Sequence, residues 1–339
     1  MNKSNNNNIN NINTLNIKDS ESNWSTITNC SNSDNKSYNS NNTQENLDKL
    51  KANIMSFAES DSLIEKKNLL YTYGTSGFRD NGKNLDKVAL RLAAITFIRS
   101  LHLQSPIGII ISASHNNHID NGFKIADING DMLSIEWEEL YENVINSDDL
   151  KTDLINLIDK YVCHYNIGDG KILLGYDTRE TSTSLASIII STLDNLQCPV
   201  VNYELCTTPQ LHFMTFMTQM LIKEYNNTKV VNNFNKMSIK KDNNNSNDTC
   251  IKYNNYSLNY NLSKDVYFKM FKDSGIGKFN ELFEKIKTIY YNHNNNSIKY
   301  NNKLVIDFSN GVGGAPEVKD NIIKFFGEYL DITVRYNYK

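Results

Sequence analysis

Between Leu85 and Ile98 the apolar residues Leu85, Val88, Leu92, Ile95 and Ile98 recur every three or four positions. That spacing predicts a helix lying on a sheet, with Arg91 and Arg99 on its solvent side. Ile107–Ile111 follows, a short β-branched run after Pro106, which reads as a strand covered on both faces. The strand runs straight into Ser112-Ala113-Ser114-His115-Asn116, and Phe123–Ala126 supplies a return strand. Asn129-Gly130 then offers a turn that accepts positive φ, and a helix is expected from Ile135 to about Val144. The alternation repeats with a strand at Ile172–Gly175, a helix over Ser182–Leu193, a strand at Val200–Tyr203 and a helix over Pro209–Ile222. Further on, Tyr267–Ile289 reads as helical and Lys303–Phe308 as a buried strand opening a second unit. The expected fold class is therefore α/β: a layered mixed sheet with helices on both faces and ligands at the strand ends.

Polar tracts interrupt this pattern. Residues 1–50 are dominated by Asn, Ser and Thr, and are expected to be disordered because they bury too little apolar surface to offset chain entropy. Residues 225–262 form an Asn-rich insertion. The division that results is a disordered segment at 1–50, a first α/β domain at 51–224, the insertion at 225–262 and the start of a second domain at 263–339.

Composition narrows the partners. A formal charge of -3 from interspersed Lys, Asp and Glu leaves no basic stripe for nucleic acid. No stretch approaches the roughly 20 apolar residues of a membrane span, so no membrane partner and a cytoplasmic location are expected. The five cysteines, Cys30, Cys163, Cys198, Cys206 and Cys250, contain no C-x-x-C pair and read as reduced thiols. Five of the histidines, His102, His118, His164, His212 and His293, lack ligand spacing.

Candidate chemistry lies in three clusters. The central one, Ser112 to Lys124, reads SASHNNHIDNGFK. A serine at a strand-to-loop tip presents its hydroxyl at a sheet edge, but it needs a base, a metal or a preorganised charge-stabilising site to act. Lys124, on the return strand, could steady a phosphate oxygen or, with a lowered pKa, act as base. The same residues also fit a polar loop in which Ser114 caps a turn and Lys124 is solvated. A serine hydrolase reading is weaker, since Ser114 is in no G-x-S-x-G elbow and the adjacent His115 cannot easily reach back to its hydroxyl. The second cluster, Tyr73-Gly74-Thr75-Ser76-Gly77-Phe78-Arg79, combines glycines, two hydroxyl donors and an arginine able to fork onto phosphate. In the third, Gly175-Tyr176-Asp177-Thr178-Arg179, Asp177 and Arg179 read as a structural pair. Asn310-Gly311-Val312-Gly313-Gly314 fails the dinucleotide spacing and reads as a strand-to-helix turn.

In this order the clusters resemble the α-D-phosphohexomutase superfamily, whose phosphoserine loop is usually T-A-S-H-N-P. Here it is Ser112-Ala113-Ser114-His115-Asn116-Asn117, with Ser for Thr and Asn for Pro. Asp120-Asn121-Gly122-Phe123-Lys124, Gly130-Asp131-Met132-Leu133 with Trp137-Glu138, and Thr208-Pro209-Gln210-Leu211-His212 are most similar to the branch acting on N-acetylglucosamine phosphates. The resemblance implies an isomerase that interconverts N-acetylglucosamine 6-phosphate and 1-phosphate, on the way to UDP-N-acetylglucosamine, through a phosphoserine and a bisphosphorylated sugar. It implies Ser114 as phosphoryl carrier, Arg79 and Lys124 as the residues managing the sugar hydroxyl's proton, and His115, Asn116, Thr75 and Ser76 as phosphate-positioning groups. It also implies Mg2+ held in part by the phosphate on Ser114. The superfamily's D-G-D-x-D-R metal loop does not occur in the chain, so a truncated form is expected. A related hexose-phosphate mutase and a non-catalytic phosphate-binding domain are the alternatives.

Overall fold

The computed structural model describes residues 40–64, 69–74, 77–166, 169–226, 262–270, 281, 303–327 and 331–335. Those residues all lie in one compact unit, Tyr38–Lys339.

The strands are β1 (Phe78–Asn81), β2 (Ile107–Ile111), β3 (Asp120–Ala126), β4 (Ile172–Tyr176) and β5 (Val200–Leu205), with β6 (Lys303–Asp307) and β7 (Asp331–Arg335) in a separate parallel pair. The helices are α1 (Ser40–Ser62), α2 (Asp86–Leu103), α3 (Ile135–Asn146), α4 (Leu150–Tyr161), α5 (Ser182–Asn195), α6 (Thr208–Asn226), α7 (Asp265–Met270) and α8 (Pro316–Phe326). The main sheet has the order β1-β3-β2-β4-β5. β3 is antiparallel to both β1 and β2, while β2, β4 and β5 run parallel. This is the expected mixed, layered α/β sheet.

Alternation along β2 explains the layering. Ile107, Ile109 and Ile111 join the core formed with α1 to α5, whereas Ile110 joins Leu173, Leu211 and Met214 in the smaller core under α6. A strand buried on both faces must be apolar throughout, as Ile107–Ile111 is. At the start of α6, Thr207 Oγ1 accepts from Gln210 N (3.3 Å) and Gln210 Oε1 accepts from Thr207 N (2.9 Å), a capping box that fixes where the helix begins. The predicted turn is present, with Asn129 at φ 58 and Gly130 at φ 69. His212 Nδ1 reaches the Gly130 carbonyl at 2.6 Å and ties that turn to α6.

Four expectations need correction. Ser40–Leu50 is helical, not disordered: Leu47, Leu50, Ile54 and Phe57 repeat at helical spacing and pack into the main core. Arg91 and Arg99 are buried rather than solvated. Almost every side of α2 is covered, and the charges are met by partners about 30 residues away in sequence. Arg91 pairs with Asp61 at 2.8 and 2.9 Å and donates to the carbonyls of Val144, Ile145 and Ser147. Arg99 pairs with Asp127 at 2.6 and 3.0 Å. The β6 strand forms as predicted but is largely exposed, because β7 is its only described sheet partner. Cys163 is disulfide-bonded, so the reduced-thiol reading holds for the free Cys198 and Cys206; spacing along a chain does not exclude a bond between distant cysteines. Of the predicted helix Tyr267–Ile289, residues 267–270 belong to α7 and Glu281 is helical; the rest lies outside the described residues. No helix among the described residues is long and apolar enough to cross a membrane.

Candidate active site

The site lies where β2 ends. Its last carbonyl, on Ile111, accepts from Asp177 N (2.9 Å), and the chain then leaves the sheet with Ser112 N donating to the Gly122 carbonyl (2.9 Å). Ala113 is buried, and Ser114 turns outward at φ 47 with its side chain exposed. A left-handed backbone at a serine costs energy and persists only when its surroundings fix it. Here they do: Ser114 N donates to Ser112 Oγ (3.2 Å), Asn116 N to the Ala113 carbonyl (2.9 Å) and Asp120 N to the Asn117 carbonyl (3.0 Å).

Arg79 approaches from β1. Register places it opposite Gly122, with Phe78 opposite Phe123 and Lys124 opposite Ile110. Paired residues share a face, so Phe78 and Phe123 point into the main core while Arg79, Gly122 and Lys124 share the other side. Gly122 gives the arginine room: a Cβ there would meet the Phe78 carbonyl oxygen at 2.5 Å and Arg79 Cγ at 2.8 Å. The guanidinium donates to the Ala113 carbonyl (3.0 Å) and to Asn116 Oδ1. Gly77, at φ +76, is required for a different reason. A Cβ would collide with the Phe123 carbonyl oxygen and sit 2.9 Å from Lys124 Cγ, so only glycine lets the second cluster join β1 beside the lysine.

Burial and neighbouring positive charge lower the proton affinity of both Arg79 and Lys124. Burial first, then the nearby Arg179 guanidinium, pulls Arg79 down, and Asp120 opposes the shift. Burial, then Arg79, pulls Lys124 below the ordinary lysine value. A lysine with a lowered proton affinity is neutral in a larger fraction of molecules near neutral pH than a free one, and only the neutral amine can act as a base.

The predicted structural pair is present, with Arg179 Nε 3.1 Å from Asp177 Oδ2. Sequence reasoning missed what the rest of Arg179 does. Its Nη1 donates to the carbonyls of Asn117 (2.5 Å) and Asp120 (2.9 Å), and its Nη2 to those of Ser114 (2.9 Å) and Asn116 (3.2 Å). A short Asp-x-Arg at a strand end was the available signal, but its target lies about 60 residues earlier in the chain. Asn121 extends the network by donating to Ser182 Oγ (2.9 Å), which in turn donates to Asp177 Oδ1 (2.8 Å).

Arg79 thus meets the serine loop at Ala113 and Asn116, and Lys124 lies on the same face of the sheet as Arg79. His115 is exposed on the same loop. Thr75 and Ser76 lie outside the described residues. Among the described residues no group of three or more His, Cys, Asp or Glu could hold a metal ion. Asp177 is engaged by Arg179 and Ser182, and Asp120 accepts from Asn116 Nδ2 at 3.4 Å. The described donors do not form a Mg2+ centre; a phosphate on Ser114 would supply one ligand to it.

Residues 75–152 and 141–245, two overlapping segments that together cover half of the chain, match the family described as phosphoglucomutase/phosphomannomutase, alpha/beta/alpha domain I. The chain is 36% identical over 150 residues to the phosphoacetylglucosamine mutase of Homo sapiens, covering 44% of this chain and 28% of the human protein. It is 30% identical over 269 residues to that of Saccharomyces cerevisiae, covering 76% of this chain and 41% of the yeast protein. The chain therefore spans less than half the length of these relatives. Among solved structures it resembles N-acetylglucosamine-phosphate mutase in its product complex, with a TM-score of 0.57 and 25% identity over 84% of this chain and 44% of that one. It has the same fold as Aspergillus fumigatus N-acetylphosphoglucosamine mutase in complex with GlcNAc-6P and magnesium, with a TM-score of 0.56 and 22% identity over 84% of this chain and 44% of that one. With a matching family domain, a mixed sheet of the same fold and a serine loop at its edge, the chain belongs to the phosphoglucomutase/phosphomannomutase family.

Proposed function

We propose that Ser114 carries a phosphoryl group in an N-acetylglucosamine-phosphate mutase reaction. The observation that carries this reading is the left-handed turn at Ser114, which exposes the hydroxyl and is held by Arg79 on one side and Arg179 on the other. The relatives acting on N-acetylglucosamine phosphates support the sugar class.

In the forward half-reaction the bond between Ser114 Oγ and phosphorus breaks as a sugar hydroxyl oxygen bonds to phosphorus. The net proton moves from that hydroxyl to Ser114 Oγ. Lys124, in its neutral form, takes the proton from the sugar hydroxyl and passes it to the departing Ser114 Oγ, and its depressed proton affinity suits that relay. Arg79 and Asn116 hold the loop, and their charge and donors stabilise the transferring group without reorganising. The sugar bisphosphate so formed turns over and returns its other phosphate to Ser114. N-acetylglucosamine 6-phosphate is thereby converted to the 1-phosphate. His115, Thr75 and Ser76 complete the phosphate contacts. The reaction takes place in the cytoplasm, with Mg2+ as the accompanying ion.

Intact-mass analysis after incubation with a hexose 1,6-bisphosphate and Mg2+ tests the carrier role. One added phosphate on the wild-type chain, absent from Ser114→Ala, is expected; equal labelling of the two would refute it.

A further inference from the structure

Arg179 takes no part in the proton or phosphoryl transfer proposed above, yet its guanidinium donates to four backbone carbonyls of the serine loop. Its three guanidinium nitrogens are all committed. Nε binds Asp177, and Nη1 and Nη2 each bridge two backbone carbonyls, those of Asn117 and Asp120 and those of Ser114 and Asn116. A guanidinium is the side chain suited to this, because its donors lie in one rigid plane. Lysine, with a single nitrogen, cannot span four carbonyls.

The anchor behind the arginine is equally fixed. Asp177 accepts from Arg179 N (3.0 Å) and from Ser182 Oγ (2.8 Å), and its own amide is bonded to the end of β2. Ser182 Oγ also accepts from Asn121, on β3. The loop is therefore clamped to the ends of β2, β3 and β4 and to the first residue of α5. Four carbonyl dipoles are turned inward toward one cation, which leaves the loop's outer side, with the Ser114 hydroxyl, free of them.

We propose that Arg179 is the positioning residue of the Ser114 loop: by gripping the carbonyls of Ser114, Asn116, Asn117 and Asp120 it holds the strained turn in the orientation that phosphoryl transfer requires. This rests on Ser114 being the carrier. In the labelling step the new bond joins Ser114 Oγ to phosphorus, the bond from phosphorus to the sugar oxygen breaks, and the serine proton passes to that oxygen. Arg179 touches none of these atoms. It acts through the backbone of the serine, where a misplacement of about 1 Å can cost roughly a hundredfold in rate. Its charge also bears on the site, since it depresses the proton affinity of Arg79.

The test follows the rate of Ser114 phosphorylation by a hexose 1,6-bisphosphate, read by intact mass, in wild type, Arg179→Gly and Arg179→Lys, with thermal melting of each. Arg179→Gly should be slower by about tenfold or more, and added guanidinium should restore part of the rate whereas methylammonium should not. A rate within about twofold of wild type in Arg179→Gly would overturn the proposal. Should Arg179→Gly fail to fold, Arg179→Lys decides. A melting point near wild type with about tenfold slower labelling supports the clamp, and labelling within about twofold overturns it. Absence of label on the wild-type chain would tell instead against the carrier reading. The clamp would then be judged by amide exchange over residues 113–120: faster exchange in Arg179→Lys supports it, and unchanged protection overturns it.

Discussion

Replacing Asp127 with alanine should be among the most destabilising single changes in the chain. The carboxylate is 1% exposed and its partner Arg99 6% exposed, and the two form a bidentate pair at 2.6 and 3.0 Å. Truncation leaves a guanidinium inside the fold with no counter-charge. Breaking a buried pair by removing one partner costs about 3–5 kcal/mol. The Trp137 face, 4.2 Å from the guanidinium carbon, retains an attraction of about 1 kcal/mol in both proteins and so does not replace the carboxylate. For a folded body of this size the melting temperature should fall by roughly 2–4 °C per kcal/mol. Urea denaturation and thermal melting of Asp127→Ala, Arg99→Met and the double variant form a closed cycle. The double variant should be more stable than Asp127→Ala by about 2 kcal/mol, since neither charge is then stranded. A loss below about 1 kcal/mol in Asp127→Ala, or strict additivity in the cycle, would refute the view that the two buried partners depend on each other.

Gly77→Ala should cost about 3 kcal/mol or more and abolish labelling of Ser114, because the methyl group meets the β3 backbone where Lys124 begins; a variant that melts and labels like wild type would contradict this. Burial pushes Lys171 down to about 8 from 10.5. Between those values the unfolded chain binds more protons than the folded one, so Lys171 makes stability rise with pH by at most about 1.4 kcal/mol per unit. The contribution is complete above 10.5 and lost as pH falls through 8. Lys171→Met should flatten that rise in a series of urea melts, and an unchanged slope would show that the burial cost is not there.

Much of the sheet was legible because its signals are local. Ile107–Ile111 reads as a strand covered on both faces, and Pro209 marks the first turn of α6. Ser114, Arg79 and Lys124 stood out through their motifs, and the antiparallel register of β1 with β3 puts Arg79 and Lys124 on one face of the sheet. What escaped depends on distance along the chain. The polarity of Arg91 and Arg99 pointed to solvent, since Asp61 and Asp127 are not visible from α2 itself. The start of α1 was hidden by Asn-rich composition around a few well-spaced apolar residues. Arg179 was recognised as Asp177's partner, but its grip on four carbonyls of the serine loop depends on how β2 and β4 lie side by side.

The central claim is that Ser114 is the residue that takes and gives up phosphate. Peptide mapping by mass spectrometry, after incubation with a hexose 1,6-bisphosphate and then with N-acetylglucosamine 6-phosphate, addresses it directly. One phosphate should be found on Ser114 after the first step and be depleted after the second. Phosphate on another residue, or none on wild type under conditions where the protein is folded, would contradict it.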